Sequence, residues 1–457
     1  MAEFLNENEF GLGVDELAIV DSSGQIVYRL PKLAGSEGQA LVTDGLGNAY
    51  WGVPNYTGGF APGVDAFGRQ RVSNPHTIFN SKQIFDNQPL LWDDQEVEPG
   101  NSPEVTTSTH SVIRASTTLG VPATTDCRRV RQTFKRFNYQ PGKSQLVMMT
   151  GVFGLDGGGI TKSMGMFDDF NGIFVSVNDD VVSMNLRSSV TFSTTTVDQA
   201  DWNFDPMDGT GPSGITLDIT KAQIIWFDFE WLGVGSVRTG FVIDDKFILC
   251  HEFKNSNAIA SVYMSTPNLP LRIEIDNDGT GNAATIEQIC ATVISEGGAA
   301  NGNMTSNFHS INTDNAGIAV GNGDRCAIIG FRNKTSHVGQ AIDVGSVSIV
   351  NGAKDSFEYE WRLNPTIAGT YTWADHSPVS GMQTFIGDAT NLISDGQVVL
   401  SGVSGGAKEG TTYSSDIPHD ITFGQTIDGT RHEMILCVKA YNTSAAIDAA
   451  VNWRELD

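Results

Sequence analysis

Basic residues are the first thing this chain is short of. Its 457 residues hold 28 Lys and Arg against 53 Asp and Glu, for a formal charge of −25. A surface of that sign repels phosphate backbones and anionic headgroups, which excludes nucleic-acid binding through a basic face and argues against membrane association. Apolar runs are short. None approaches the roughly 18 to 20 residues of a membrane span, and the opening MAEFLNENEFGLG lacks the basic and apolar stretches of a secretory signal. Cysteine is scarce and unpatterned: Cys127, Cys250, Cys290, Cys326 and Cys437 form no CxxC pair and lie near no histidine array. That spacing supports neither a zinc site nor a disulfide framework, and predicts reduced, mostly buried thiols of a protein made in a cytoplasm. Long helical periodicities are missing too, and charged residues are only 18% of the chain.

What is present is turn chemistry between short β-branched and aromatic runs. Fifty glycines punctuate stretches rich in Thr, Ser, Val, Ile and Asn, which predicts an all-β chain. Residues 1–70 carry four short strand candidates, Glu16–Val20, Gln25–Leu30, Ala40–Thr43 and Ala49–Gly52, followed by the Gly/Pro-rich linker NYTGGFAPGV. So little apolar surface cannot build an independent core, so this stretch reads as an attachment arm that docks on other chains. Within it GQALVTDGLGNAYW, Gly38 to Trp51, reads as a hairpin, with Asp44-Gly45 and Gly47-Asn48 closing the turn and Leu41, Tyr50 and Trp51 as anchoring residues.

Residues 71–298 follow the pattern of a jelly-roll, concanavalin-like β-sandwich. In QIIWFDFEWL, Ile225, Phe227, Phe229 and Trp231 share one face, read as core, and Ile224, Trp226, Asp228 and Glu230 the other. A turn at Asp244-Asp245 then joins two further strands, and Leu271–Ile275 pairs with Thr285–Ser295. Residues 299–457 carry strand candidates at Cys326–Phe331, Val344–Val350, Ser356–Arg362, Val398–Gly402 and Glu433–Lys439, the outline of a second sandwich. A strand swap that completes a neighbouring copy's sandwich is an open alternative for this region.

Several segments resemble a known family. GQALVTDGLGNAYW is similar to a module of tailed-bacteriophage fibres and other virion proteins. DAFGRQRVSNPHTIFNSKQIFDNQPLLWDD, Asp65 to Asp94, resembles the opening of a family of phage virion structural proteins. The resemblance continues through Arg129–Gly151, Asp208–Ile243 and Tyr263–Ile275 to the terminal VNWREL. It implies a virion component, with a tail fibre or a tail- or baseplate-attached protein as the first expectation, a capsid decoration or head fibre as the alternative and a glycan depolymerase third. It also implies a homo-oligomer, a trimer by analogy with fibres and spikes, partnered by other virion proteins and presenting a host-facing sandwich, with no covalent chemistry. Ile84, Phe85, Leu90 and Leu91, with Phe79 and Trp92, offer apolar surface to pack the opening segment into the body.

Local chemistry is thin. DNDGTGNAATIE fits a twelve-residue calcium loop, with Asp276, Asp278, Thr280 and Glu287 as oxygen ligands. It lies between two strands where an EF-hand has two helices, so an ordinary hairpin competes with calcium; no other cofactor is indicated. Asp228 and Glu230 beside Trp226 are read as a solvated or inter-subunit polar face, with a sugar-binding face or a glycosidase pair as alternatives. The E-x-D-x-x-E arrangement typical of jelly-roll glycosidases is missing. GKS at Gly142 to Ser144 lacks the leading glycine of a phosphate loop, Gly157-Gly158-Gly159 is a turn, and His251 is a half-buried packing residue. Arg129, Arg131 and Lys135 share a strand face that pairs with acidic neighbouring subunits or is simply solvated.

Overall fold

The structure is a computed structural model. It describes the backbones of the strands Leu17–Val20, Ile26–Leu30, Ala40–Thr43 and Ala49–Gly52, and then residues 74–297, 306–353, 356–404, 411–414, 421–441 and 444–456. Its contacts divide the chain into a unit Met1–Ala61 and a unit Pro62–Asp457. In the first, Leu17–Val20 pairs antiparallel with Ile26–Leu30, and Ala40–Thr43 with Ala49–Gly52. The second hairpin sets Leu41 opposite Trp51 and Val42 opposite Tyr50, as the turn signals predict. The side chains of Leu41, Tyr50 and Trp51, and hence their anchoring role, lie outside the described residues.

The second unit holds two sandwiches. In the first, an eight-stranded sheet runs Lys246–Phe253, Val237–Ile243, Gln223–Phe229, Ser144–Val152, Ala284–Glu296, Ser116–Val121 and Thr107–Ser111, with His76–Lys82 also on Ala284–Glu296. A seven-stranded sheet faces it, in the order Ser193–Asp198, Val181–Ser188, Gly172–Asn178, Ile160–Phe167, Leu271–Asp278, Asp126–Thr133 and Trp92–Val97. Every pairing is antiparallel. This is the expected jelly-roll sandwich. Two tight turns show why these residues make it: Asp179-Asp180 and Asp244-Asp245 all have positive φ, the handedness a two-residue hairpin turn needs and a short Asp tolerates.

Between the sheets Val147, Met149, Met164, Ile225, Phe227, Phe229, Phe241 and Ile273 are fully buried. Each large side chain withdrawn from water contributes roughly 2 to 3 kcal/mol. The opening segment joins this core only in part. His76–Lys82 and Trp92–Val97 become strands of opposite sheets, with Phe79 and Trp92 buried, while Ile84, Phe85, Leu90 and Leu91 stay exposed on the connection. The expectation that all six pack inward is corrected for those four.

The second sandwich is closed by this chain's own strands. One sheet runs Ser306–Asn312, Ala445–Leu456, Ala341–Asn351 and Thr411–Ser414, with Ile318–Val320 and Ile421–Thr422 on its central strands. The other runs Ala374–Asp375, Met382–Ile386, Arg325–Asn333, Met434–Ala440, Phe357–Leu363 and Gln397–Ser404. Phe331, Trp361, Leu436, Val451 and Trp453 are buried between them. A joint connects the sandwiches. The His432 ring lies 4.7 Å from that of Phe134, and the Ile427 amide donates to Asp93 Oδ2 at 2.7 Å.

Candidate functional site

The strand Gln223–Phe229 has the predicted alternation, but its second face is not a solvated one. Trp226 and Asp228 are both 0% exposed. The indole Nε1–H donates to the Phe241 carbonyl at 3.2 Å and its ring meets Phe247 edge-on at 5.6 Å. Gly240, its register partner, leaves room: a methyl group there would run into the Ile248 carbonyl and sit 3.1 Å from the indole. Asp228 stands in register between Leu146 and Arg238. Glu230 follows where the strand ends; its carbonyl accepts from the Tyr263 hydroxyl at 3.0 Å and its Oε1 from the Ser236 amide at 3.4 Å. The assignment of Trp226, Asp228 and Glu230 to an open polar or glycan-facing surface is thus corrected. Alternation told the two faces apart, but the apolar run Ile224–Phe227, with apolar residues on both faces, was the sign of burial on both sides.

The four calcium-loop residues are not brought together. Asp276 belongs to the seven-stranded sheet and Glu287 to the eight-stranded one, because the turn between them crosses the sandwich. The Glu287 carboxylate is clamped by Arg114, whose Nη2 lies at 2.5 Å, and by the Ser116 hydroxyl; these bonds, Arg114 first, hold its pKa below the ordinary value. Asp278 Oδ1 instead accepts from the Thr280 hydroxyl at 2.6 Å and amide at 2.8 Å, and is lowered by them. Asp276 is raised by burial. Among the described residues no group of three or more His, Cys, Asp or Glu is placed to hold a metal. The segment is a turn between strands of the two facing sheets, and the expected pairing of Leu271–Ile275 with Thr285–Ser295 is corrected with it: the first strand pairs with Ile160–Phe167 and Asp126–Thr133, the second with Ser144–Val152, Ser116–Val121 and His76–Lys82.

The basic cluster turns inward. Arg129 Nε donates to Asp94 Oδ1 at 2.6 Å and its Nη1 to Glu104 at 2.6 Å. Arg131, 0% exposed, crosses the sandwich interior to Gln288 Oε1 at 2.7 Å, approaches Asp94 Oδ2 at 3.4 Å, donates to the Asn87 carbonyl and lies over the Trp92 ring at 5.1 Å. Burial pulls its pKa down to about 10 against the opposing pull of Asp94. A guanidinium tolerates this because several donors are satisfied at once. Arg129 and Arg131 therefore pair within their own chain, which corrects both the inter-subunit and the solvated expectation. His251 is buried against Phe253, with ring centroids 4.5 Å apart, and burial lowers its pKa. Four thiols are buried and Cys290 is exposed.

The arrangement that sequence reasoning missed lies on the second sandwich. The strands Ser306–Asn312, Ala445–Leu456 and Ala341–Asn351 share a depression of about 610 Å³ lined by Phe308, His309, Ser310, Asp343, Gly345, Asn452, Trp453 and Arg454. Beneath it sits Glu455, 0% exposed, whose carboxylate accepts from the Ser380 hydroxyl at 2.5 Å, the Gly381 amide at 2.8 Å and the Trp453 indole at 3.2 Å. The His309 ring stacks on Trp453 at 5.5 Å with Nε2 3.7 Å from Glu455, and His376 meets the same indole at 4.7 Å. Arg454 Nη2 and Nε reach Asp343 Oδ2 at 2.6 and 2.8 Å. Trp453 and His309 are thus held by a buried carboxylate on the core side of the sheet, behind the depression, and the charges at its rim are paired. VNWREL supplies three of the eight lining residues, Asn452, Trp453 and Arg454. The residues that complete it come from strands more than a hundred positions earlier, a distance at which no local motif operates.

The chain matches no family model and no curated protein. Among solved structures it is similar to the β-glucanase of Bacillus licheniformis, with 12% identity and TM-score 0.32 over 47% of this chain and 96% of that one. It is also similar to the carbohydrate recognition domain of Emp47p, with 9% identity and TM-score 0.31 over 49% and 97%. A third is the legume lectin-like domain from Entamoeba histolytica, with 6% identity and TM-score 0.30 over 48% and 97%.

Proposed function

We propose that this protein is a structural component of a tailed-phage virion, a tail fibre or a tail- or baseplate-attached protein that assembles through its N-terminal arm and presents its second sandwich outward. The division of the chain between Ala61 and Pro62 supports this most directly, since it separates two short hairpins from a body of two complete cores. An arm of that size has little to bury alone and gains order from partners, whereas the body keeps its fold without them. The long sequence resemblance points the same way.

The protein acts without covalent chemistry. Asp228 and Glu230 lie in and at the end of a strand whose Trp226 and Asp228 are shielded from water, and a glycosidase needs two carboxyl groups open to one substrate and one water. The test is particle composition. Infectious particles of the phage that encodes the chain, purified on a density gradient and analysed by peptide mass spectrometry, are expected to contain it in stoichiometric amounts. Its absence from particles, with polysaccharide clearing by the free protein that disappears in Glu230→Gln, would establish a depolymerase instead.

A further inference from the structure

We infer that the depression on the second sandwich binds one or two units of a neutral sugar chain. The site deepens the proposed host-facing role and rests on it for its biological sense, but its chemistry stands on the structure. The volume of about 610 Å³ falls within the roughly 300 to 1,000 Å³ of small-molecule sites. Phe308 is 78% exposed at its wall and offers an apolar plane to a ligand. Around it stand the hydroxyl of Ser310, the amide of Asn452 and the paired Asp343 and Arg454. A pyranose has the matching layout, with C–H bonds clustered on one face for an aromatic ring and hydroxyls round its equator for donors and acceptors.

Gly345 shapes the opening of the same depression. It interrupts the Ala341–Asn351 strand at a bulge between Val344 and Ser346. Glycine weakens a strand interior and often marks a close approach by another group. Packing leaves room for a side chain here: an added Cβ would meet nothing closer than the Asn452 carbonyl at 3.6 Å, ordinary contact. What the missing side chain does is keep the depression open. The strands behind the depression are held rigid from the core side, since the Ser380, Gly381 and Glu455 network fixes Trp453 and thereby the stacked His309.

Electrostatics selects among sugars. The rim carries one carboxylate neutralised by one guanidinium, on a chain of charge −25. Uronate or sialylated chains would be repelled by the whole molecule without a surplus cation to receive them; a neutral chain meets no such barrier.

The experiment is saturation-transfer NMR on the full chain with neutral gluco-, galacto- and manno-configured tetrasaccharides, with a uronate tetrasaccharide and a neutral tetrapeptide as contrasts. At least one neutral sugar is expected to bind with millimolar or better affinity. Phe308→Ala and Gly345→Val are each expected to weaken it by about tenfold or more with the melting temperature unchanged. Should Gly345→Val misfold, Phe308→Ala decides, because its exposed ring contributes little to the core. Lack of binding by every neutral sugar, binding undiminished by Phe308→Ala, or preference for the uronate or peptide would overturn the inference. None of these outcomes touches the virion role, which particle composition decides separately.

Discussion

Glu96 shows how much one carboxylate can organise. Its oxygens accept from the amides of Asn101, Val105 and Thr106 at 3.0, 2.8 and 2.8 Å, and from the Asn101 side chain and Thr106 hydroxyl. Burial pushes its pKa up, but these bonds outweigh burial and bring it down to about 2. A carboxylate lowered in the folded state stabilises the fold above its ordinary value near 4.5, and that contribution is lost as pH falls from there through about 2. Glu96→Gln is expected to cost about 1.5 to 3 kcal/mol at neutral pH. Chemical denaturation would show the gap from the parent chain closing as the pH approaches 2; a constant gap would contradict the assignment. No sequence pattern announces this acceptor, because its donors belong to an irregular loop. The same limit hid the fate of Arg131. Alternation assigned it to a face, and what the rest of the chain lays against a face is a tertiary fact.

At the scale of elements the sequence is far more legible. Asp244-Asp245, the hairpin of Ala40–Thr43 with Ala49–Gly52, and the five strand candidates of the second sandwich all lie where turn residues and β-branched runs place them. Local chemistry decides a turn, so local sequence reveals it. Ser306–Asn312 and Met382–Ile386 were not legible, the first because a polar strand flanked by loops looks like a loop and the second because five residues are too few to show a period. Glycine within strands supplies a contrast that can be measured. Gly240→Ala forces a methyl against the Ile248 carbonyl and the Trp226 indole and is expected to destabilise by about 1 to 3 kcal/mol. Gly345→Ala meets only ordinary contacts and is expected to change stability by no more than about 0.5 kcal/mol or to raise it. Urea midpoints at constant slope report both. Equal losses would mean that Gly345 is a packing requirement.

At the scale of the molecule, two sandwiches meet at a joint that contains a buried imidazole. Burial pulls His432 down to about 4, with Asp93 opposing. Because the folded state disfavours the proton, stability from the neutral ring is complete above about 6.5 and is lost as pH falls toward 4. Hydrogen exchange at residues 424–432 is therefore expected to accelerate over that window, and His432→Phe, which keeps the ring contact with Phe134, to flatten the response. Acceleration that persists unchanged in the variant would place the acid-sensitive group elsewhere. Hydrophobic patterning made two cores predictable here, but not the joint, whose partners lie some three hundred positions apart.

Cryo-electron microscopy of intact particles with a label fused to the C-terminus reads out where in the particle the chain works. The label is expected at the tail, fibre or baseplate, displaced outward from the point where the N-terminal arm attaches. A label distributed over the capsid shell, or particles that carry none, would contradict the account.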